Sequence, residues 1–540
     1  MMALNIAIAG SGPAGLATAF LLHRDGHQVT VFERFDAPQP VGSGLMIQPT
    51  GLAVLRTMGL DAQVIAAGAR IDRLFGQAAP SGRTVLDVRY AALGKDTHFG
   101  IGIHRAALFD VLFHAVQAAG IAITTSRTVV AAPLHADGGH GLVFSDGAPA
   151  GPFDLVVDTL GTASPLAPAL GDPLVYGALW ASLDWPDAPG FDITALEQRY
   201  VRASTMVGVL PIGLAPGSPK PKAAFFWSLR VDHLQAWREA GLEDWKNEVR
   251  NVWPATAPLL EQIVSPEQLT FARYTHRTLK SPAEAGLIHL GDAWHSTSPQ
   301  LGQGANMALL DAYALTKSLR ETSDLSQALT RTIALRRRHI RLYQGMSLLF
   351  TPVYQSDSTV LPWLRDRVVG PLAKLWPATA ILAAMVSGLI GRPLKPLGLD
   401  QPAIAVPRMD GHSLIVFDGD CVLCSSQAQF VLRHDHAARF RLTTAQGEAG
   451  QEIYRQLGLS TTSLETMLLI ENGRALMHSD AVIAIAAGLG WPWRAALAAK
   501  IIPRPLRDAL YRFIARNRYR WFGRRETCWR PTPDIADRML

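Results

Sequence analysis

The chain opens on a short apolar run, Asn5–Ala9, then a helical stretch, Pro13–Arg24, a turn at Asp25-Gly26 and a second apolar run, Gln28–Phe32. Apolar runs of about five residues joined by a helix predict parallel strands buried on both faces, so the opening reads as a βαβ unit. Strand and helix signals alternate to about residue 175. From 176 to 275 tryptophans, prolines and strand-like stretches such as Ala223–Leu229 predict a mixed sheet without βαβ rhythm. Leu287–Leu315 returns to strand, turn and helix; Ser323–Phe350 is a basic helical stretch containing Arg336-Arg337-Arg338, and helix continues to about Gly391. Pro393–Pro407 holds four prolines in fifteen residues and reads as a linker. A second strand-helix opening, Leu414–Leu432, starts a module that runs to the end.

Composition narrows the class. With 48% hydrophobic and 18% charged residues, burial can offset chain entropy, which excludes wholesale disorder. Three cysteines in 540 residues exclude a disulfide-stapled scaffold and fit a reducing compartment, so a cytoplasmic location is expected. Met1–Leu22 is apolar but lacks a basic n-region and a small-residue cleavage site, and is read as fold rather than signal peptide. Leu375–Gly391 is the most lipid-like run beyond it, 17 residues broken by Pro377 and Gly388, and predicts no span. The net charge of +6 is uneven: from His412 onward 17 Lys+Arg face 12 Asp+Glu, with nine arginines in Arg504–Arg530. Without zinc-finger spacing or an RNA-binding aromatic signature, nucleic acid is not an expected partner; a solvated helical face is, with peripheral membrane contact left open.

Gly10-Ser11-Gly12-Pro13-Ala14-Gly15 is a GxGxxG turn between the first strand and helix. Gly10 permits the turn, Gly12 leaves room for a pyrophosphate, Gly15 lets helix and strand pack closely, and the helix N-terminus offers free N–H groups. Glu33 ends the second strand, where a carboxylate can accept ribose hydroxyls, and Arg34 follows it. Residues 287–313 read LIHLGDAWHSTSPQLGQGANMALLDAY. Asp292 stands at a strand end to accept a polyol hydroxyl, and a helix opens at Gly302-Gln303-Gly304, its N-terminus aimed at whatever collects negative charge. His295 is read as a structural loop histidine.

This run, through Pro299, Gly302, Gly304, Ala305 and Asn306, resembles the second FAD motif of the class A flavoprotein aromatic hydroxylases, the para-hydroxybenzoate and ubiquinone-biosynthesis hydroxylase group. Gly42-Ser43-Gly44-Leu45 and Ile103-His104-Arg105-Ala106-Ala107-Leu108 are similar to further segments of that group, the latter carrying its flavin-contacting arginine, Arg105. The resemblance covers about residues 4–395. It implies a Rossmann-like FAD-binding α/β fold (1–175 and 276–340), an inserted mixed-sheet substrate domain (176–275), a helical extension (341–392), a linker (393–411) and a C-terminal module (412–540). It also implies a monooxygenase that uses NAD(P)H and O₂, through a flavin C4a-hydroperoxide, on an aromatic or polyketide-like small molecule. A halogenase or reductase on the same scaffold and a flavin-holding interaction protein are the alternatives. Trp180, Trp185, Phe225, Phe226 and Trp227 are candidates for an apolar lid over the flavin or for plain core. One departure stands out: in Asp158-Thr159-Leu160-Gly161-Thr162-Ala163-Ser164, Leu160 takes the place of the group's Asp and the downstream Arg is absent. The departure falls on a segment the resemblance associates with FAD and pyridine-nucleotide contacts, so either NAD(P)H directly or a partner flavin reductase is expected to supply the electrons.

In the last module Leu414–Phe417 leads into Asp418-Gly419-Asp420-Cys421-Val422-Leu423-Cys424 and a helix. A Cys-x-x-Cys at a helix N-terminus favours a thiolate. With Ser479-Asp480-Ala481, Ile502-Pro503-Arg504, Arg516-Asn517-Arg518-Tyr519 and Cys528, it resembles the DCC family of thiol-disulfide oxidoreductases. That resemblance implies a thioredoxin-like α/β module with Cys421 and Cys424 as catalytic thiols and a thiol partner. Thr461–Ile470 carries no proline where thioredoxin-like sites place one. No metal site is expected, because two spaced cysteines and one distant one leave a fourth ligand unidentified.

Overall fold

The structure is a computed structural model that describes residues 3–37, 43–94, 98–135, 139–168, 171, 173–187, 190–400, 412–457, 459–461, 464, 466–471, 474–524 and 538–540. Gly42, Cys528 and residues 401–411 of the expected linker lie outside the described residues. The chain divides into two compact units, Met1–Gly398 and Leu399–Leu540.

In the first unit Asn5–Ala9, Gln28–Phe32 and the helix Pro13–Arg24 form where the apolar pattern places them. They belong to a six-stranded sheet in the order Ala283–Glu284, Leu287–His289, Leu155–Asp158, Asn5–Ala9, Gln28–Phe32, Ala122–Thr124. All its pairings are parallel except the edge strand Ala283–Glu284. Both faces are covered, which is why Ile6–Ala9 and Leu155–Val157 are fully buried apolar runs. The strands end together at Ala9, Asp158 and His289, and the chain must turn there. Ligands of such sheets bind beyond those carboxyl ends.

The second sheet has seven strands: Thr270–Ala272, Tyr176–Asp184, Pro221–Arg230, Thr205–Leu214, Ala195–Val201, Arg73–Ala78 and Thr84–Arg89. The expected boundary at 176 is therefore corrected for this sheet. Arg73–Ala78 pairs in parallel with Ala195–Val201 and brings Thr84–Arg89 with it, a long-range pairing with no local signal. Period-2 alternation gives the sheet two faces. Leu179, Val207, Val209, Phe225 and Trp227 pack under the helix Leu242–Val252, which bears Trp245, and Trp253 just past its end, with Trp185 at the edge of that cluster. Leu210, Ile212 and Ala224 face the other way, toward Met46, Tyr90, Ala383 and Val386, with Trp180 partly buried against them.

The expected linker also changes. Leu394–Leu397 is a short helix after Pro393, stopped by Gly398 at φ 73, and Leu397 is buried. A proline at its start and a left-handed glycine at its end make it a helical turn rather than a spacer, so the first unit extends through Gly398.

The second unit is a four-stranded sheet in the order Phe440–Thr444, Ser413–Phe417, Leu468–Glu471, Arg474–Met477. Its first pair is parallel and the others antiparallel. Helices Val422–His434, Glu448–Gln456 and His478–Gly488 connect and cover the strands, and Arg504–Phe522 follows. Alternate residues of Ser413–Phe417 feed two cores, Leu414 and Val416 on one face, Ile415 and Phe417 on the other. This is the α/β arrangement expected of a thioredoxin-like module.

Candidate active site

The glycine turn is built as its spacing requires. Gly10 has φ +102, in the region that favours glycine, and its N–H donates to Phe32 O at 2.8 Å. Gly12, extended at φ −68 and ψ 177, precedes Pro13 at the first helical position, and no side chain caps this helix N-terminus. A Cβ on Gly15 would overlap the Gly10 carbonyl oxygen and stand 2.7 Å from Thr159 Oγ1. A Cβ on Gly12 would meet nothing within 4 Å. Gly15 is thus needed for packing, whereas Gly12 borders open space in front of the uncapped N–H groups. Ala14 is buried beneath the turn. Glu33 lies beside it as expected, but its carboxylate also braces the protein, accepting from Ser11 N (2.9 Å), Ser11 Oγ (2.6 Å) and Phe35 N (3.2 Å). Arg34 is exposed, its guanidinium 4.6 Å from the Phe35 ring centre.

The second loop meets this turn across the strand ends. Gly291 is left-handed at φ +59, and Asp292 follows in a tight turn. Among the described residues nothing donates a hydrogen bond to the Asp292 carboxylate, which is accessible although protein surrounds it, the environment of a cleft wall. That crowding raises its carboxyl above the usual range, partly opposed by the charges of His295, Arg105 and Arg277. A Cβ on Gly304, the first residue of the helix Gly304–Glu321, would lie 3.9 Å from Asp292 Oδ1. The carboxylate and that helix N-terminus therefore share one site. Pro299 starts the exposed turn before it, Gly302 ends that turn at φ +59, and Ala305 is half-buried in the first helical turn.

Arg105 opens the helix Arg105–Ala118, its backbone N–H donating to Ser43 O at 2.9 Å. Its charge is felt at both Asp292 and Tyr274, which places it between loop and sheet. The Asn306 side chain, expected at the cofactor, clamps the loop behind it. Fully buried, it accepts from Gln48 N (2.7 Å) and donates to Met46 O and Gly302 O (3.0 Å each).

The departure at Leu160 has a structural counterpart that sequence reasoning missed. Asp158, buried at the end of its strand, accepts from Leu160 N (2.9 Å) and Ser164 Oγ (2.6 Å) and lies 2.6 Å from His289 Nδ1. Thr159 Oγ1 bonds to Ala9 O and Gly10 O at 2.8 and 3.0 Å. The turn is therefore braced without a carboxylate at 160. An acid two residues upstream, ending a strand, was the available signal.

Beneath both loops lies a buried ionic chain. Asp311 accepts from Gly291 N (3.0 Å) and Arg336 Nε (2.7 Å), with His295 Nε2 at 2.6 Å. Burial works to raise the Asp311 carboxyl, but His295 and Arg336 overcome it and hold the group below the usual range. His295 is thus structural, as read from the sequence. Arg336 Nη1 donates to His339 Nδ1 (3.2 Å), and His339 Nε2 then donates to Gly388 O (3.1 Å). Burial, reinforced by Arg336, pushes the His339 imidazole down to about 3. Between its unfolded value of about 6.5 and that value only the unfolded chain holds the proton, so stability falls as pH falls. Unfolding free energies measured from pH 7 to 5 should therefore decline more steeply in the wild type, by up to about 1.4 kcal/mol per unit, than in His339→Gln. Parallel slopes would remove His339 from the account.

The five lid candidates separate by strand parity. Phe225, Trp227 and Trp185 belong to the helix-covered core, the second of the two alternatives read from the sequence. Phe226 and Trp180 lie on the opposite face, ring centres 4.7 Å apart, and Trp180 Nε1 donates to Tyr274 Oη at 2.9 Å. Burial raises the Tyr274 hydroxyl to about 12, so it keeps its proton at neutral pH.

In the second unit Cys421 is the N-cap of the helix Val422–His434, and Cys424 N donates to Cys421 Sγ at 3.3 Å. The hydrogen bond with Cys424 draws the Cys421 thiol down to about 6 against its burial, while Cys424 is pushed up. Asp418 accepts from Gln446 Nε2 (2.7 Å), Arg518 Nη2 (2.9 Å) and the Tyr519 hydroxyl. Cys421 is fully buried, Cys424 partly open, and Arg524 bridges by backbone to Cys421. Thr466 and Met467, just before the strand Leu468–Glu471, occupy the position without proline; among the described residues no cluster of three His, Cys, Asp or Glu side chains could hold a metal.

Residues 3–148 and 184–331 match the FAD binding domain family, and residues 415–524 match the DCC1-like thiol-disulfide oxidoreductases. The chain is 27% identical to the 3-amino-4-hydroxybenzoate 2-monooxygenase of Streptomyces cremeus, over 68% of this chain and 96% of that protein. It is 37% identical to the uncharacterized protein YuxK of Bacillus subtilis, over 24% of this chain and 94% of that protein. The solved structure of Klebsiella pneumoniae HpxO complexed with FAD and uric acid shares the fold, with a TM-score of 0.60 at 19% identity over 72% of this chain and 98% of that one. Among the described residues, the open space at Gly12, the Asp292 carboxylate without a donor and the helix N-terminus at Gly304 fit such a dinucleotide. The chain belongs to the FAD binding domain family and ends in a DCC1-like thiol-disulfide oxidoreductase domain.

Proposed function

We propose that this flavoprotein oxidoreductase is a monooxygenase that uses NAD(P)H and O₂ to hydroxylate an aromatic or polyketide-like small molecule. The observation that carries the reading is the Asp292 carboxylate, without a hydrogen-bond donor among the described residues, beside the helix N-terminus at Gly304. The Streptomyces cremeus monooxygenase, whose name specifies an aminohydroxybenzoate, supports the reaction class. Gly10, Gly12, Pro13, Ala14 and Gly15 would cradle the pyrophosphate, with Glu33 and Arg34 at the adenosine end. Arg105, Asp292, Pro299, Gly302, Gly304 and Ala305 would hold the ribityl and flavin end, with Asn306 clamping the loop behind them. Bound FAD supplies, once reduced, the activation of O₂.

The chain's own residues do the rest. Asp292 accepts a hydroxyl of the polyol chain, and the N–H groups at Gly304 stabilise negative charge at the flavin edge. Trp180 and Phe226 present an apolar wall that excludes water. Tyr274, oriented by Trp180, offers its retained proton to an acceptor on the substrate. Mixing the holoprotein anaerobically with NADPH or NADH tests the reductant. Bleaching of the flavin absorbance within a turnover time supports direct reduction, and no bleaching assigns the electrons to a partner flavin reductase. The basic helix Arg504–Phe522 is a candidate contact for an anionic surface.

The cysteine module acts separately, its Cys421–Cys424 dithiol passing two electrons to a partner's disulfide by thiol–disulfide exchange and itself becoming the disulfide. Hydroxylation needs no thiol, so Cys421→Ser with Cys424→Ser should leave it within a few-fold of wild type. Alkylation of wild-type Cys421 should show an apparent pKa near 6 rather than the roughly 8.5 of a free cysteine. Loss of hydroxylation with FAD content and fold intact would show that the two chemistries are coupled.

A further inference from the structure

The helical extension carries an apolar face that the flavin chemistry does not use. The helix Val360–Leu364 continues through a wide turn, Arg365–Val369, into Gly370–Leu372, and Ala378–Val386 follows. Leu349, Trp363, Leu372, Leu375, Trp376 and Ile381 stand between 55% and 84% exposed along this arm. Six large apolar side chains more than half exposed on one arm are the kind of surface that marks an interaction site. The arm is a built platform. Arg365 is buried against the sheet, its guanidinium 5.0 Å from the Tyr200 ring centre, and donates to Arg202 O at 2.9 Å.

Charge selects the occupant. Asp366 is paired with Arg365, and Asp357 with Arg230 and Tyr176. Arg367 and Lys374, both exposed, have no acidic partner among the described residues. An apolar face flanked by two unpaired cations, its own acids Asp357 and Asp366 each held by an arginine, with two exposed tryptophans, matches an anionic lipid surface. A second copy packed face to face would oppose like charges. The inner side of the same arm reaches the candidate substrate wall: Leu382, Ala383 and Val386 pack with Met46, Leu210 and Trp180.

We propose that the arm 348–381 docks on an anionic lipid bilayer, which sets the wall of the candidate substrate site beside the membrane. Its test reads binding without turnover, so it stands or falls apart from the monooxygenase reading. The full-length FAD-bound protein should sediment with phosphatidylcholine–phosphatidylglycerol vesicles, and far less with phosphatidylcholine alone. Leu372→Glu with Trp376→Glu should reduce the bound fraction at least tenfold, and Arg367→Glu with Lys374→Glu should remove the preference for phosphatidylglycerol. Quenching by lipids brominated in the acyl chains should be weaker in Trp376→Phe than in wild type. FAD content and circular dichroism report folding; if the first pair fails to fold, the charge pair decides. Wild type left in the supernatant, variants that sediment as wild type does, or a dimer lost in the glutamate pair without vesicle binding would each overturn the proposal.

Discussion

Gly12→Val is expected to yield a folded protein that has lost its FAD, and Gly15→Val a protein that does not fold stably. The two glycines lie three residues apart in one turn, yet their surroundings differ. Gly12 has φ −68 and ψ 177, which valine adopts without strain, and its Cβ would meet no atom of the described residues within 4 Å. The cost falls on the ligand: the branched side chain blocks the approach of the pyrophosphate to the helix N-terminus. FAD affinity should drop by at least about two orders of magnitude, or roughly 3 kcal/mol, with thermal unfolding of the apoprotein near that of wild-type apoprotein. At Gly15 the new Cβ collides with the Gly10 carbonyl and Thr159. Helix and strand must separate, an overpacking cost of about 3 kcal/mol or more. Bound FAD per chain and the unfolding midpoint, measured for both variants, check this. A Gly12→Val protein that purifies with full FAD would remove the pyrophosphate from this turn.

Asp311→Ala should destabilise the first unit by about 3–5 kcal/mol, because it leaves a charge buried without its partner. Arg336 is fully buried, and its Nη2 has no hydrogen-bond partner among the described residues even with Asp311 present. The same substitution frees the Gly291 N–H and His295, which fix the turn presenting Asp292. FAD should therefore be held more weakly as well. Asp311→Asn keeps an acceptor but not the charge, and should fall between wild type and alanine. Urea titration of the apoproteins gives the stability, and flavin fluorescence gives the retention. A loss below about 1 kcal/mol for Asp311→Ala would mean that water satisfies Arg336 in its place.

These two sites were not equally legible in the sequence. Gly10, Gly12 and Gly15 announce themselves, because a turn that admits a phosphate and a helix packed on its strand both demand glycine at fixed spacing. The strand and helix around them were read to the residue for the same reason. Asp292 and the helix at Gly304 were legible as a strand end followed by a glycine-opened helix. Asp311 was not: its partners come from 20 residues before it and 25 after it, and no local pattern records such a meeting. Asn306 carries the same lesson. Its place in the motif suggested a cofactor ligand, but nothing local announced that its side chain also reaches Met46 and Gln48, about 260 residues away at the end of the strand Gly44–Ile47. Strand parity separates Phe226 from Phe225 and Trp227, but only the docking of helices over 234–260 decides which face is core. In the second unit the two cysteines were plain, while the Asp418–Arg518 pair beside them spans 100 residues.

The reaction itself is tested most directly by following the oxygen atom. The holoprotein supplied with NAD(P)H, ¹⁸O₂ and a phenolic substrate should form a product carrying one ¹⁸O atom, and product formation should stop when O₂ is removed. Asp292→Ala should lower this turnover in step with its loss of bound FAD. A product labelled only from H₂¹⁸O, or turnover that continues without O₂, would contradict the monooxygenase assignment and leave a flavin reductase on the same scaffold.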